Sequence, residues 1–159
     1  MDKRNIFLIG MPSCGKTTIG RVLAAKLRRE FFDTDIMIEK ATGTTIPKLH
    51  REIGEDMFRD LESGVLSGVS EKKGAVIATG GGCVLREENR GYMEGGVIVW
   101  LQRDLALLSL DGRISNGRTT IDKLYMERRE RYESFAQYTA DNNGTPEETA
   151  LSIIEMLGL

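Results

Sequence analysis

The sequence predicts an α/β domain built on a parallel sheet, and three observations carry that expectation. Short apolar runs such as Ile6–Ile9, Ala75–Thr79 and Val97–Leu101 show no polar alternation, as expected of strands covered on both faces. Between them lie longer stretches with apolar residues at helical spacing. Two of the runs stop at glycine, Gly10 and the triplet Gly80-Gly81-Gly82, where a strand would turn into a helix. The chain has 159 residues, 40% hydrophobic and 29% charged, which fits one domain spanning 1–159 with its own core and excludes a disordered or coiled-coil chain.

In order, Ile6–Ile9 is the first strand and Lys16 to Glu30 an amphipathic helix carrying Ile19, Val22, Leu23 and Leu27. Phe31 to Asp33 is a second strand. Thr45 to Ile53 and Glu55 to Lys72 read as helices separated by Gly54. Ala75–Thr79 is a third strand, Arg86 to Glu94 a helical stretch, and Val97–Leu101 a fourth strand after the turn Gly95-Gly96. The polar, glycine-bearing segment from Asp111 to Thr120 predicts a mobile loop, followed by a charged helix from Ile121 to Ala136. Tyr138-Thr139-Ala140 is a short last strand, and Pro146 to Leu157, with proline in its first turn, closes the chain as a helix. Alternating strands and helices of this kind give a parallel sheet.

Lys and Arg number 22 against 24 Asp and Glu, so the chain offers no overall attraction to nucleic acid or an anionic membrane, and neither is expected as a partner. Any anion must be held locally. Cys14 and Cys83 are too few for a disulfide framework, and with His50 the only histidine there is no Cys/His metal spacing. No apolar run has the length of a membrane span, so a cytoplasmic protein is expected.

Gly10-Met11-Pro12-Ser13-Cys14-Gly15-Lys16-Thr17 has the form G-x-x-x-x-G-K-[ST] and falls between a strand and a helix, where a phosphate-binding loop must sit. Its glycines let backbone N–H groups converge on phosphate oxygens, and the helix N-terminus adds partial positive charge. Lys16 would reach the β- and γ-phosphates, Thr17 would ligate Mg²⁺, and Ser13, Cys14, Gly15 and Thr18 would complete the nucleotide cradle. The thiol of Cys14, beside Lys16 and a helix start, would have a lowered pKa if accessible, so alkylation protected by MgATP is expected, with ordinary packing of a small buried residue as the alternative.

Asp33-Thr34-Asp35 ends the second strand at the sheet edge that carries the phosphate loop. In extended backbone the two carboxylates share a face and can divide labour between metal and attacking hydroxyl. A solvated turn or helix cap is the alternative. Within Gly54–Glu62, Arg59 and Glu62 stand three apart, the spacing of an exposed ion pair on a helix. Gly80-Gly81-Gly82 offers bare backbone suited to a carboxylate, or is simply a sharp turn.

In this order the segments resemble the shikimate kinases, which carry a P-loop, an Asp-x-Asp after the second strand, Gly-Glu-x-x-Phe-Arg-x-x-Glu and Thr-Gly-Gly-Gly. A later match, in Arg128-Arg129-Glu130-Arg131-Tyr132, points to Arg128, while Arg129 and Arg131 are left as a solvated helix face. The resemblance implies a three-layer P-loop NTPase fold with a five-stranded parallel sheet in the order 2-3-1-4-5, as in nucleoside monophosphate kinases. It also implies ATP with Mg²⁺, shikimate as the small-molecule partner, and a monomer. By the same resemblance, Asp35, Arg59, Gly81, Gly82 and Arg128 would hold shikimate. Asp35 would orient the 3-hydroxyl, with its deprotonation as a further role, Asp33 would hold Mg²⁺ through water, and Lys16 would stabilise the transferring phosphoryl group. The family's lid usually contains Arg-Pro-Leu-Leu, whereas this chain reads Arg118-Thr119-Thr120 in a shortened lid at about 111–120. Arg113 and Arg118 are both candidates for the lid arginine, with Arg118 assigned to the transition state and Arg113 to the nucleotide. A gluconate kinase relative or a nucleotide-binding module without phosphotransfer are the competing readings.

Overall fold

The computed structural model describes residues 2–108 and 121–159. The expected lid, with Arg113 and Arg118, lies outside these residues. Strand β1 (Ile6–Ile9) leads into α1 (Lys16–Leu27), then β2 (Phe31–Asp33), α2 (Thr34–Thr42), α3 (Ile46–Ile53) and α4 (Glu55–Val69). Next come β3 (Val76–Ala78), a short 3₁₀ turn (Cys83–Leu85), α5 (Glu88–Met93) and β4 (Val97–Gln102). A second 3₁₀ turn (Leu105–Leu107) precedes the undescribed segment, and α6 (Ile121–Phe135), β5 (Tyr138–Asp141) and α7 (Pro146–Leu157) complete the chain.

The five strands form one parallel sheet in the order β2-β3-β1-β4-β5, the order the family resemblance implied. Central β1 is buried along its whole length, which explains its unbroken apolar sequence. Its Ile6 lies level with Val76 of β3 and Val97 of β4. The chain steps from β1 out to the edge strand β2 and then back across the sheet through β3, β4 and β5. Right-handed crossovers therefore put α1 on one face, where α7 packs against it, and α4, α5 and α6 on the other. Tyr132 of α6, fully buried, stacks on Trp100 of β4 at 5.6 Å between ring centroids. No helix among the described residues is long and apolar enough to cross a membrane.

Helix ends follow local chemistry. Thr145 caps α7 by accepting from the Glu148 N–H, with Pro146 in the first turn and left-handed Gly158 past the end. Left-handed Arg28 stops α1 short of the expected Glu30, and Ser70 ends α4 before Lys72. Two segments differ more. Helix α2 is not predicted by the sequence pattern, because only its Thr34 and Ile38 are buried and the apolar stripe is too thin to register. The helix expected over Arg86 to Glu94 is shorter, α5 covering only Glu88–Met93, and a 3₁₀ turn at Cys83–Leu85 precedes it.

Candidate active site

At the switch point beside the carboxyl end of β1, the loop 10–15 turns through three positive-φ residues, Gly10 at 151°, Ser13 at 65° and Gly15 at 101°. Lys16, buried at the start of α1, lays its ammonium back along the loop and donates to the carbonyls of Gly10 and Met11 at 2.8 Å each. The Lys16 charge is thus held at the phosphate cradle by the cradle's own backbone. Cys14 differs from expectation: its thiol is 1% exposed, packed inward beside Gly10, and absent from the cleft wall. The accessibility that a reactive thiolate needs is missing, so alkylation protected by nucleotide is not expected. Its backbone N–H donates to the Met11 carbonyl at 3.2 Å.

Asp33 and Asp35 do not share a face of extended backbone. The strand ends at Asp33, and Asp35 lies in the first turn of α2. Asp33 is the cap of that helix, one oxygen accepting from the Ile36 N–H at 3.1 Å while the other accepts from the Thr17 hydroxyl. The helix cap that the sequence left open for Asp33 is realised, and the same carboxylate also meets the phosphate loop through Thr17. Asp33 and Asp35 nevertheless line one cleft of about 670 Å³, together with Ser13, Gly15, Lys16, Thr17 and Thr18.

The opposite wall comes from α4, α6 and the glycine turn. Arg59 is buried rather than exposed, its Nε donating to Glu55 Oε1 at 2.9 Å and one terminal nitrogen to Glu62 Oε1 at 2.8 Å. Glu62 is 1% exposed, so this is a buried ion pair and not the surface pair that the spacing suggested. Burial alone would lower the affinity of Arg59 for its proton; the charges and hydrogen bonds of Glu62 and Glu55 outweigh it and raise the pKa. Burial likewise works to raise the Glu55 carboxyl, and Arg59, with His50 behind it, holds the group below its ordinary value. His50 bonds the second Glu55 oxygen and sets its ring edge-on to Phe58.

Glycines 80–82 are required by close approach. A Cβ on Gly80 would fall 2.6 Å from Glu62 and 2.8 Å from Asp35, and one on Gly82 would collide with the Arg59 guanidinium. The turn is tied down by the Gly80 N–H donating to Thr34 Oγ1 at 3.2 Å and by Tyr132 donating its hydroxyl proton to the Gly81 carbonyl at 2.6 Å. Burial raises the Tyr132 pKa against the opposing charge of Arg128, and burial together with the charge of Glu62 pushes the Cys83 thiol up to about 12. Arg128 is itself buried and lines the same cleft as Arg59, Gly81 and Gly82.

Sequence reasoning pairs Glu62 with Arg59 only as an exposed pair and notes His50 only as the single histidine, and it misses Glu55 and Asn142. Glu55 stands at i−4 from Arg59, a spacing that could have marked it as a second holder. For Mg²⁺, the adjoining Thr17 hydroxyl and Asp33 carboxylate supply the hard oxygen donors it prefers, and a phosphate-bound Mg²⁺ needs few protein ligands. The residues present fit it.

A phosphate loop backed by a buried lysine, sharing one cleft with two aspartates and two buried arginines, defines the class of P-loop kinases that act on small molecules. The shikimate kinase family profile matches residues 12–158. The chain is 40% identical to a shikimate kinase of Buchnera aphidicola subsp. Schizaphis graminum, over 98% of this chain and 97% of that one. It superposes on a shikimate kinase from Acinetobacter baumannii in complex with shikimate with a TM-score of 0.90 and 34% identity, covering 98% of this chain and 93% of the other. A gluconokinase from Sinorhizobium meliloti 1021 shares the fold alone, at 14% identity over 98% of this chain and 93% of the other with a TM-score of 0.61. The chain belongs to the shikimate kinase family.

Proposed function

We propose that the protein transfers the terminal phosphoryl group of ATP to the 3-hydroxyl of shikimate, giving ADP and shikimate 3-phosphate. The observation that carries this reading is the placing of two buried arginines, Arg59 and Arg128, in the cleft that the phosphate loop opens. An acceptor without a carboxylate would have no use for two desolvated guanidiniums, whereas the shikimate carboxylate can pair bidentately with such a fork. Gly81 and Gly82 let the acceptor approach the backbone beside them. The attacking oxygen forms its bond to the γ-phosphorus as the bond to the bridging β-phosphate oxygen breaks, and the hydroxyl proton passes to Asp35. Lys16 offsets the charge on the transferring group, with Ser13, Gly15 and Thr18 around the phosphates. Thr17 and Asp33 would hold Mg²⁺, which when bound screens the phosphate charges. The two buried, unlinked cysteines fit the reducing cytoplasm.

Coupled measurement of ADP release with shikimate, with gluconate and with no acceptor tests the reading. Turnover is expected with shikimate alone. Preference for gluconate would assign the site to the neighbouring kinase class, and acceptor-independent release or none would leave a nucleotide-binding module. Within the same assay Lys16→Met is expected to lower kcat by ~10²-fold or more, the usual cost of removing a transition-state charge stabiliser. Near-normal kcat in the folded variant would remove Lys16 from the chemistry.

A further inference from the structure

The phosphate loop is gripped from behind by a residue 128 positions away in sequence. Asn142, just past β5, is 4% exposed, and its backbone is fixed on both sides. Its N–H donates to the Gln102 carbonyl at 2.7 Å, and its carbonyl accepts from Arg103 at 2.7 Å. Thr149 of α7 donates its hydroxyl proton to Asn142 Oδ1 at 2.8 Å, which sets the side-chain amide so that Nδ2 donates to the Cys14 carbonyl at 2.6 Å. A Cβ on Gly15 would stand 2.5 Å from Nδ2, so glycine at 15 makes room for this contact as well as for the turn.

In a planar trans peptide the carbonyl and the following N–H point in opposite directions. Holding the Cys14 carbonyl toward Asn142 therefore aims the Gly15 N–H the other way, into the cleft that Gly15 lines. We infer that Asn142, oriented by Thr149, is a positioning residue for the donor nucleotide: it locks the Cys14–Gly15 peptide so that the Gly15 N–H is presented to phosphate. Asn142 touches neither substrate; it acts through the loop. The inference rests on the reading of residues 10–17 as the nucleotide cradle.

The test compares wild type with Asn142→Asp, Asn142→Ala and Thr149→Val, measuring ADP and shikimate affinity by calorimetry, KM and kcat for ATP, and thermal melting. Asn142→Asp keeps the shape and the acceptor for Thr149 but sets a carboxylate oxygen against the Cys14 carbonyl. Both Asn142 variants should weaken ADP binding and raise KM for ATP by about 5- to 100-fold, the range for one lost buried hydrogen bond. Shikimate affinity should stay within about twofold, since Asn142 lies away from the acceptor wall. Thr149→Val should shift nucleotide affinity in the same direction by less, and it carries the test if the Asn142 variants do not fold. Wild-type nucleotide affinity in folded Asn142→Asp overturns the inference, as does an equal loss for ADP and shikimate, which would mark a purely structural role. Failure of the wild type to bind ADP would instead defeat the cradle reading.

Discussion

Replacing Arg59 with alanine is expected to weaken shikimate binding by about 2–5 kcal/mol, the loss usual when one partner of a buried charge pair is removed, while ATP affinity stays near normal. The guanidinium lies under the glycine turn, with Glu55 and Glu62 gripping it from one side and no room at Gly82 for even a methyl group. Its position is over-determined before any acceptor arrives, so the acceptor carboxylate meets a cation that need not be ordered. The variant also strands Glu62, whose 1% exposure gives it no access to water, and some loss of stability will accompany the loss of affinity. Arg59→Lys separates the two effects. It keeps a charge near Glu62 but forfeits the planar fork, so it should melt close to wild type and still bind shikimate poorly. Calorimetry with shikimate and with ADP on both variants, beside thermal melts, checks this. Shikimate affinity near wild type in either variant would take Arg59 out of the acceptor site.

The strand-to-helix edges that build the cleft were legible because each rests on a local signal. A continuous apolar run, a glycine and an amphipathic stretch locate β1, the phosphate loop and α1 without reference to the rest of the chain. Asp33-Thr34-Asp35 shows where such reading stops. The residue types announced chemistry, but whether the backbone stays extended or coils depends on one side chain capping one N–H, and the two outcomes place Asp35 differently. Arg59 and Glu62 show a second limit. Spacing predicts that they meet, yet burial, which turns a weak surface pair into a rigid fixture, depends on α4 packing beside the turn after β3. Asn142 is the extreme case, since nothing near it in sequence signals that its amide ends against the Cys14 carbonyl. Cys14 erred for the same reason: neighbours in sequence suggested an activated thiol, and packing turned it away.

Asp35→Asn is expected to lower kcat by ~10²–10⁴-fold, the range over which a positioned general base contributes, with little change in KM for shikimate. The division of labour between the two acidic residues follows from their hydrogen bonds. Asp33 is engaged at both oxygens, by the Thr17 hydroxyl and by the first turn of α2, so its carboxylate is committed to the phosphate side of the cleft. Asp35, two residues along in the first turn of α2, stands close to Gly80 and Glu62, and a Cβ on Gly80 would fall 2.8 Å from its carboxylate. A hydroxyl bound between the arginines and the phosphate loop would meet Asp35 first. Asparagine preserves the size and one acceptor oxygen but cannot take a proton, so the variant distinguishes orientation from deprotonation. If Asp35 removes the proton, the acid limb of the kcat/KM profile that belongs to its carboxyl should vanish in the variant along with the rate. If it only orients the hydroxyl, kcat will stay within about tenfold of wild type and the acid limb will persist.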